Sequence, residues 1–332
     1  MKDYKVKKSK LSNFKNKLDF WATNSEEGGW NISSTDEGSQ KMLEEEDEKQ
    51  IKIQTGSDVV DDYVYNEEST DDERMIVNMG PQHPSTHGVL RLQVELEGEV
   101  VRRVKPVIGY LHTGMEKTGE ELAYFQGPTN TTRMDYLSPL FNELVFSLTT
   151  EKLLDIEVPE RAKAIRILMT ELNRISSHLV ALATGGMDIG ALSMMIFGFR
   201  ERELILNFFE KTTGLRMNHN YIRPGGVAAD LPDNWQKDVK EILKVIPEKL
   251  KDYDEMLLDN PIWQGRLKNV GILTTEECFA YGITGPSLRA SGFSWDLRKT
   301  QPYSGIENYE FEVPLLTDSD VFSRWRIKVL EI

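Results

Sequence analysis

The sequence predicts an α+β body, in which a small N-terminal antiparallel sheet packs on a central helical bundle behind a disordered acidic extension. Three observations carry this. Residues 1–73 hold 19 acidic and 10 basic side chains, so −9 of the formal charge of −14 falls on this segment of a 332-residue chain. Residues 75–107 run in short, alternating apolar and polar stretches broken by Gly and Pro. From Pro159 to Ala183 apolar residues recur at spacings of 3 and 4, which is the period of a helix with one buried face.

Taken in order, residues 1–17 are basic and the segment to Glu73 is acidic, with Glu44-Glu45-Glu46-Asp47-Glu48 its densest run. Low hydrophobicity and blocks of like charge do not offset ordering entropy, so this extension reads as disordered and the folded domain as residues 74–332. Met75-Ile76-Val77-Asn78-Met79 is a strand. A second strand over 89–97 puts Leu90, Leu92, Val94 and Leu96 on one face, and Gly98-Glu99 turns the chain into a third over 100–107. The clearest helix opens at Pro159-Glu160, with proline and acid in its first turn. Ile165, Leu168, Leu172, Ile175, Leu179 and Leu182 form its stripe, and Gly185-Gly186 is expected to end it. A second helix over about 188–211 and a third over 233–259, interrupted at Pro247, follow. Beyond Asn269 the signals are short and mixed, and Arg326-Ile327-Lys328-Val329 looks strand-like.

Composition narrows the function classes. An acidic balance argues against nucleic acid as a partner. The single Cys278 rules out a disulfide framework and any cysteine-rich metal or iron–sulfur site within this chain. No run approaches a membrane span, and the lysine-rich start lacks the apolar core of a secretory signal. No glycine-rich dinucleotide or phosphate loop follows a strand.

The stretch Gly80-Pro81-Gln82-His83-Pro84-Ser85-Thr86-His87-Gly88 is the most informative. It places two of five histidines in a proline-stiffened loop at a strand mouth. A histidine so held has fixed aim, which proton chemistry needs; the competing reading is a turn with solvated or capping histidines. His83 and His87 also suggest half a metal site, but no neighbouring ligand completes it. Tyr136, in Arg133-Met134-Asp135-Tyr136-Leu137-Ser138-Pro139, is either an amphipathic core residue or an acid. Glu171, Arg174 and His178 form a polar strip beside the apolar stripe. Asp188, after two glycines, reads as the N-cap of the second helix. Residues 221–227 and 291–299 are shaped, arginine-bearing turns.

These motifs together, with residues 109–117, 187–191, 288–291 and 295–303, resemble in order those of the D subunit family of respiratory complex I, the 49-kDa subunit in mitochondria. The resemblance runs through the chain from residue 75 onwards. That family is related to the large subunits of nickel–iron hydrogenases, which hold their metals with paired cysteines; with one cysteine, no such site forms here. The resemblance implies a hydrogenase-large-subunit-like fold and a quinone-headgroup cavity. The neighbouring subunit would carry the terminal iron–sulfur cluster, and the enzyme would be active only as an NADH:quinone oxidoreductase complex coupled to proton translocation. His87 and Tyr136 would bind the quinone, Asp188 would pair with His87, and His83, Arg174, His178 and His219 would support them. No metal or cluster belongs to this chain; iron–sulfur clusters and FMN sit in partner subunits. The implied partners are the cluster-bearing subunit, a fused or separate C subunit and the membrane subunit beside the quinone channel. The implied location is peripheral, on the cytoplasmic side of the cell membrane. Asn218 stands where some relatives have a histidine, with His219 next to it. The family's chain also continues past the point matched by Ile332. The resemblance therefore implies a C-terminally incomplete member, with a non-catalytic scaffold or assembly subunit as the alternative function.

Overall fold

The computed structural model describes residues 74–332, so the extension expected over 1–73 lies outside the described residues. The body is α+β. Strands β1 (Arg74–Met79), β2 (Arg91–Glu97) and β3 (Val100–Val107) form an antiparallel sheet in the order β1-β2-β3. Val77, Val94 and Val104 lie across from one another, as do Met79, Leu92 and Pro106, so the alternation in sequence becomes one apolar face. Pro106 is tolerated because β3 is an edge strand. A bulge between Glu95 and Leu96 shifts the register near the Gly98 turn.

Helices α1 (Met115–Glu121) and α2 (Gly127–Thr131) lead to α3 (Pro139–Leu154), α4 (Glu160–Asp188) and α5 (Leu192–Thr213). A hairpin of β4 (Ile222–Arg223) and β5 (Gly226–Val227) precedes α6 (Trp235–Tyr253), which runs into a π turn at Asp254–Leu258. Shorter helices follow: α7 (Pro261–Leu267), α8 (Thr275–Ala280), α9 (Gly285–Arg289), α10 (Leu297–Thr300) and finally α11 (Val321–Glu331). The core gathers Ile165, Met169, Leu172, Leu179 and Leu182 of α4 against Ile205, Leu206 and Phe209 of α5, with Val239, Ile242 and Ile246 of α6. Leu168 and Ile175 of the expected stripe are only partly buried; with Trp235, Val239 and Leu243 they line an apolar cavity of about 510 Å³ along the first half of α4.

Two buried carboxylates tie the hairpin to this frame. Glu143 accepts the backbone N–H groups of Asn220, Tyr221 and Ile222 at 2.6, 2.8 and 2.9 Å, and the Thr132 hydroxyl at 2.7 Å. Burial pushes its carboxyl above the ordinary range, although these bonds oppose the rise. Glu151 pairs with the fully buried Arg166, whose guanidinium also donates to Gly226 O.

The structure corrects the sequence reading at four places. Helix α4 does not stop at Gly185-Gly186 but continues to Asp188, giving 29 residues, on the order of 44 Å. A Cβ on Gly186 would sit 2.7 Å from the Cβ of Met194, so this glycine is required by the close approach of α5, not by a helix end. The second helix consequently starts at Leu192, with Ala191 as its N-cap. Pro247 does not interrupt α6. It lies on the exposed side, where water can serve the carbonyl that proline leaves without a partner. Residues 326–329 are helical, in α11. That helix packs against α4, α7 and α9 at once, so its burial is not confined to one stripe and its sequence mimics a strand.

Gly185 differs from its neighbour, because a Cβ added there would meet nothing within 4 Å. We expect Gly186→Ala to destabilise the chain by about 1–3 kcal/mol through overpacking, and Gly185→Ala to stabilise it by about 0.4–1 kcal/mol through helix propensity. Urea unfolding of the two variants checks this; equal effects would contradict the close approach.

Candidate functional site

The histidine loop is shaped by its own backbone. Gly80 has φ +88, and a Cβ there would lie 2.2 Å from Leu90 O and 2.5 Å from Thr86 Oγ1, so only glycine closes the base of the loop. Pro84–Thr86 makes a 3-10 turn for which His83 is the N-cap, its Nδ1 accepting the Ser85 N–H at 3.2 Å. Thr86 is buried and donates to Pro81 O and His83 O. The turn rests on α4 and delivers His87 in the left-handed region, φ 53, a conformation uncommon outside glycine.

His87 Nε2 stands 3.3 Å from Asp188 Oδ2, joining residues 101 positions apart. Asp188 caps no helix. It is the last residue of α4, at the carbonyl end, where the helix dipole adds to the negative potential of the carboxylate and draws the ring N–H. Both side chains are about one-third exposed, so this pair contributes little to stability and is free to change partners. Arg266 of α7 donates to Ile189 O and holds the helix end in place.

Tyr136 stands in the turn before α3, 41% exposed. Its neighbours are seated halfway along α4: Leu137 O accepts from Asn173, and the hydroxyls of Ser138 and Ser177 meet at 3.3 Å. Ser177 and Asp188 are 11 positions apart, about 16 Å along the helix. The cavity beside Leu168 and Ile175 contains none of His87, Tyr136 and Asp188. Its lining is mostly apolar, with Arg161, Glu171 and Tyr309 as its ionisable members.

The supporting residues divide. Arg174 pairs with Glu171 at 3.0 Å and lies over the ring of Phe141. His178 is buried, its Nε2 2.8 Å from Glu331 Oε2, while Arg289 takes the other oxygen. Burial holds His178 below the ordinary histidine range despite Glu331. Burial alone would raise Glu331, yet its bonds to His178 and Arg289 bring it below the usual carboxylate range. Glu331 and Arg289 escaped the sequence reading, since nothing local relates residue 331 to residue 178. Asn218 adopts φ 54, and His219 packs edge-on against Phe209, its Nε2–H donating to Arg216 O and its Nδ1 buried without a partner. Burial pushes His219 down to about 4. Among the described residues no three His, Cys, Asp or Glu side chains converge as a metal site would require, and no helix is long and apolar enough to cross a membrane.

Residues 188–332 match the family model described as "Respiratory-chain NADH dehydrogenase, 49 Kd subunit". The chain is 59% identical over 263 residues to the NADH-quinone oxidoreductase D subunit 1 of Salinispora arenicola, covering 79% of this chain and 60% of that protein. It is 59% identical over the same length to the D subunit of Rhodococcus jostii, with the same two shares. Against the D subunit of Mycobacteroides abscessus it is 55% identical over 285 residues, 85% of this chain and 66% of the relative. The chain belongs to the family of NADH-quinone oxidoreductase D subunits. It spans about three fifths of the length of most of the relatives it matches. By name, these relatives are components of an oxidoreductase that joins NADH to quinone.

His219 has a pH signature. The unfolded chain binds a proton near 6.5 and the folded chain only near 4, so its contribution is full above pH 6.5 and is lost as pH falls towards 4. Between pH 7 and pH 4 the parent should lose up to about 3 kcal/mol more unfolding free energy than His219→Gln. Parallel urea titrations at several pH values measure the difference; equal losses would show that His219 does not titrate in this way.

Proposed function

We propose that this chain supplies the quinone-headgroup site of an NADH:quinone oxidoreductase. Reduction of quinone to quinol takes two electrons and two protons. The electrons come from an iron–sulfur cluster in a neighbouring subunit, and the protons from side chains of this one. Histidine and tyrosine each hydrogen-bond a quinone carbonyl and yield a proton to the oxygen as it gains negative charge. In this reading His87 serves one carbonyl and Tyr136 the other, while Asp188 orients the His87 ring. His83 holds the loop in shape. Proton translocation would follow from the charge changes at this site.

The observation that carries the reading is the His87–Asp188 contact, a donor–carboxylate pair built from a loop and a helix end in a member of the 49-kDa subunit family. The offset of Tyr136 is compatible with it. Two residues of extended chain separate Tyr136 from its anchor at Ser138 and span up to about 7 Å, and a headgroup between the two rings takes up the remainder. Both side chains are open to solvent, and Ile108, Phe125 and Met134, on the segment leading to Tyr136, are 82%, 77% and 64% exposed. Apolar exposure on this scale fits a surface buried under a neighbouring protein of the complex, which would wall the site. The partners proposed are the cluster-bearing subunit, the C subunit and the membrane subunit next to the quinone channel. Through them the chain would sit peripherally on the cytoplasmic side of the cell membrane.

Tyr136→Phe removes one proton donor and keeps the ring, so in the assembled complex quinone reduction should fall on the order of 10²-fold. Asp188→Asn should weaken it similarly by leaving His87 without its carboxylate. Electron transfer from NADH to an artificial acceptor should remain intact in both. Steady-state assays with a short-chain quinone decide, and a normal quinone rate in Tyr136→Phe removes that residue from the site.

A further inference from the structure

The two peptide carbonyls that flank Tyr136 are both held by side-chain amides. Asp135 O accepts from Asn142 Nδ2 at 2.9 Å, and Leu137 O accepts from Asn173 Nδ2 at 3.0 Å. Asn142 belongs to α3 and Asn173 to α4, so the turn is gripped from two helices. Asn173 is 2% exposed and uses both ends of its amide: its Oδ1 accepts the Leu140 N–H at 3.1 Å, at the start of α3. Only an amide of this length offers a donor and an acceptor together in that place. Asp135 adds a third brace, its Oδ1 accepting the Leu137 N–H at 3.1 Å.

The side chain between these braces is treated in the opposite way. The Tyr136 phenol makes no hydrogen bond among the described residues, and the ring is 41% exposed. A surface turn normally leaves its carbonyls to water, and a tyrosine normally finds a partner for its hydroxyl when it packs. Here the carbonyls on either side and the Leu137 N–H are bonded while the phenol is left free, which is the arrangement of a side chain presented to something outside the chain.

We propose that Asn142 and Asn173 are positioning residues that fix the aim of the Tyr136 phenol at the quinone carbonyl. This rests on the reading of Tyr136 as a headgroup partner. The amides touch neither quinone nor phenol. They act by holding the carbonyls at positions 135 and 137, and hence the direction of the Cα–Cβ bond at 136. Displacement of a reacting group by about 1 Å costs up to about 10²-fold in rate, so loss of one brace should be visible in turnover.

The test is a double-mutant cycle in the assembled complex, with a short-chain quinone as substrate and NADH oxidation by an artificial acceptor as the control. Asn142→Ala deletes the donor to Asp135 O at a half-buried position where folding survives. Asn173→Asp keeps the acceptor for Leu140 and deletes the donor to Leu137 O. Each should lower kcat for the quinone about 10-fold with the artificial-acceptor rate unchanged, and Asn142→Gln, which keeps an amide, should recover part of the loss. The deciding measurement is the same pair of substitutions in a Tyr136→Phe background, where each should cost less than about 2-fold, because the group they aim is already gone. Full, additive losses in that background would overturn the proposal in favour of a general structural role. A normal rate in Asn142→Ala, beside an impaired Tyr136→Phe, overturns it while leaving Tyr136 in the site. A normal rate in Tyr136→Phe itself overturns both, which separates failure of the positioning from failure of the site.

Discussion

The packing of α4 against α5 sets every position that matters in this chain. Met194 comes so close to Gly186 that no side chain fits between the two helices there, and Leu179 and Leu182 are sealed by the contact. A close-packed crossing of this kind fixes both the rotation and the level of α4, because a shift of a fraction of a turn would force side chains together. All parts of the candidate site refer to that helix. The histidine turn lies against it, Asp188 ends it, and the turn carrying Tyr136 is bonded to its middle.

Charge is handled differently inside the body and at the site. Within the body, charges come in bonded sets: Arg166 with Glu151, and Arg289 and His178 around Glu331. Such pairs are costly to desolvate and add little net stability, but breaking one partner away strands the other, so they hold elements in register. The Glu331 set ties α11 and α9 to α4, far along the chain from one another. At the site, by contrast, His87, Asp188 and the Tyr136 phenol face solvent. In the proposed role, groups that exchange protons and bind a ligand would gain from remaining available, and the buried ion pairs supply the rigidity that these exposed groups lack.

Much of the frame was legible in the sequence. The strand alternation around Val77 and Val94, the helical stripe from Ile165 to Leu182 and the stiffness of the loop between Gly80 and Gly88 are local properties, written within a few residues of where they act. Apart from Pro247, which is tolerated because it faces solvent, the misreadings share one cause. Gly186 looks like a helix end because glycine lacks a side chain, and the same lack is what lets α5 approach. Residues 326–329 alternate like a strand, although several helices surround them. In each case the deciding neighbour is remote in sequence, so no local pattern distinguishes the alternatives.

The sequence by itself determined the class of fold, the presence of a shaped histidine loop, the exclusion of cysteine-held metals and, through ordered motifs, the family. Between the two readings of Asp188, as a helix cap and as the partner of His87, only the tertiary structure decided. As an N-cap it would have served its own helix; as the last residue of α4 it meets His87 across 101 positions. The same holds for Asn142 and Asn173, which are ordinary polar residues until two helices bring them to the carbonyls on either side of Tyr136. Helix periods and turn chemistry are set by interactions over a few residues, whereas the meeting of a loop, a turn and a helix end depends on how the core packs.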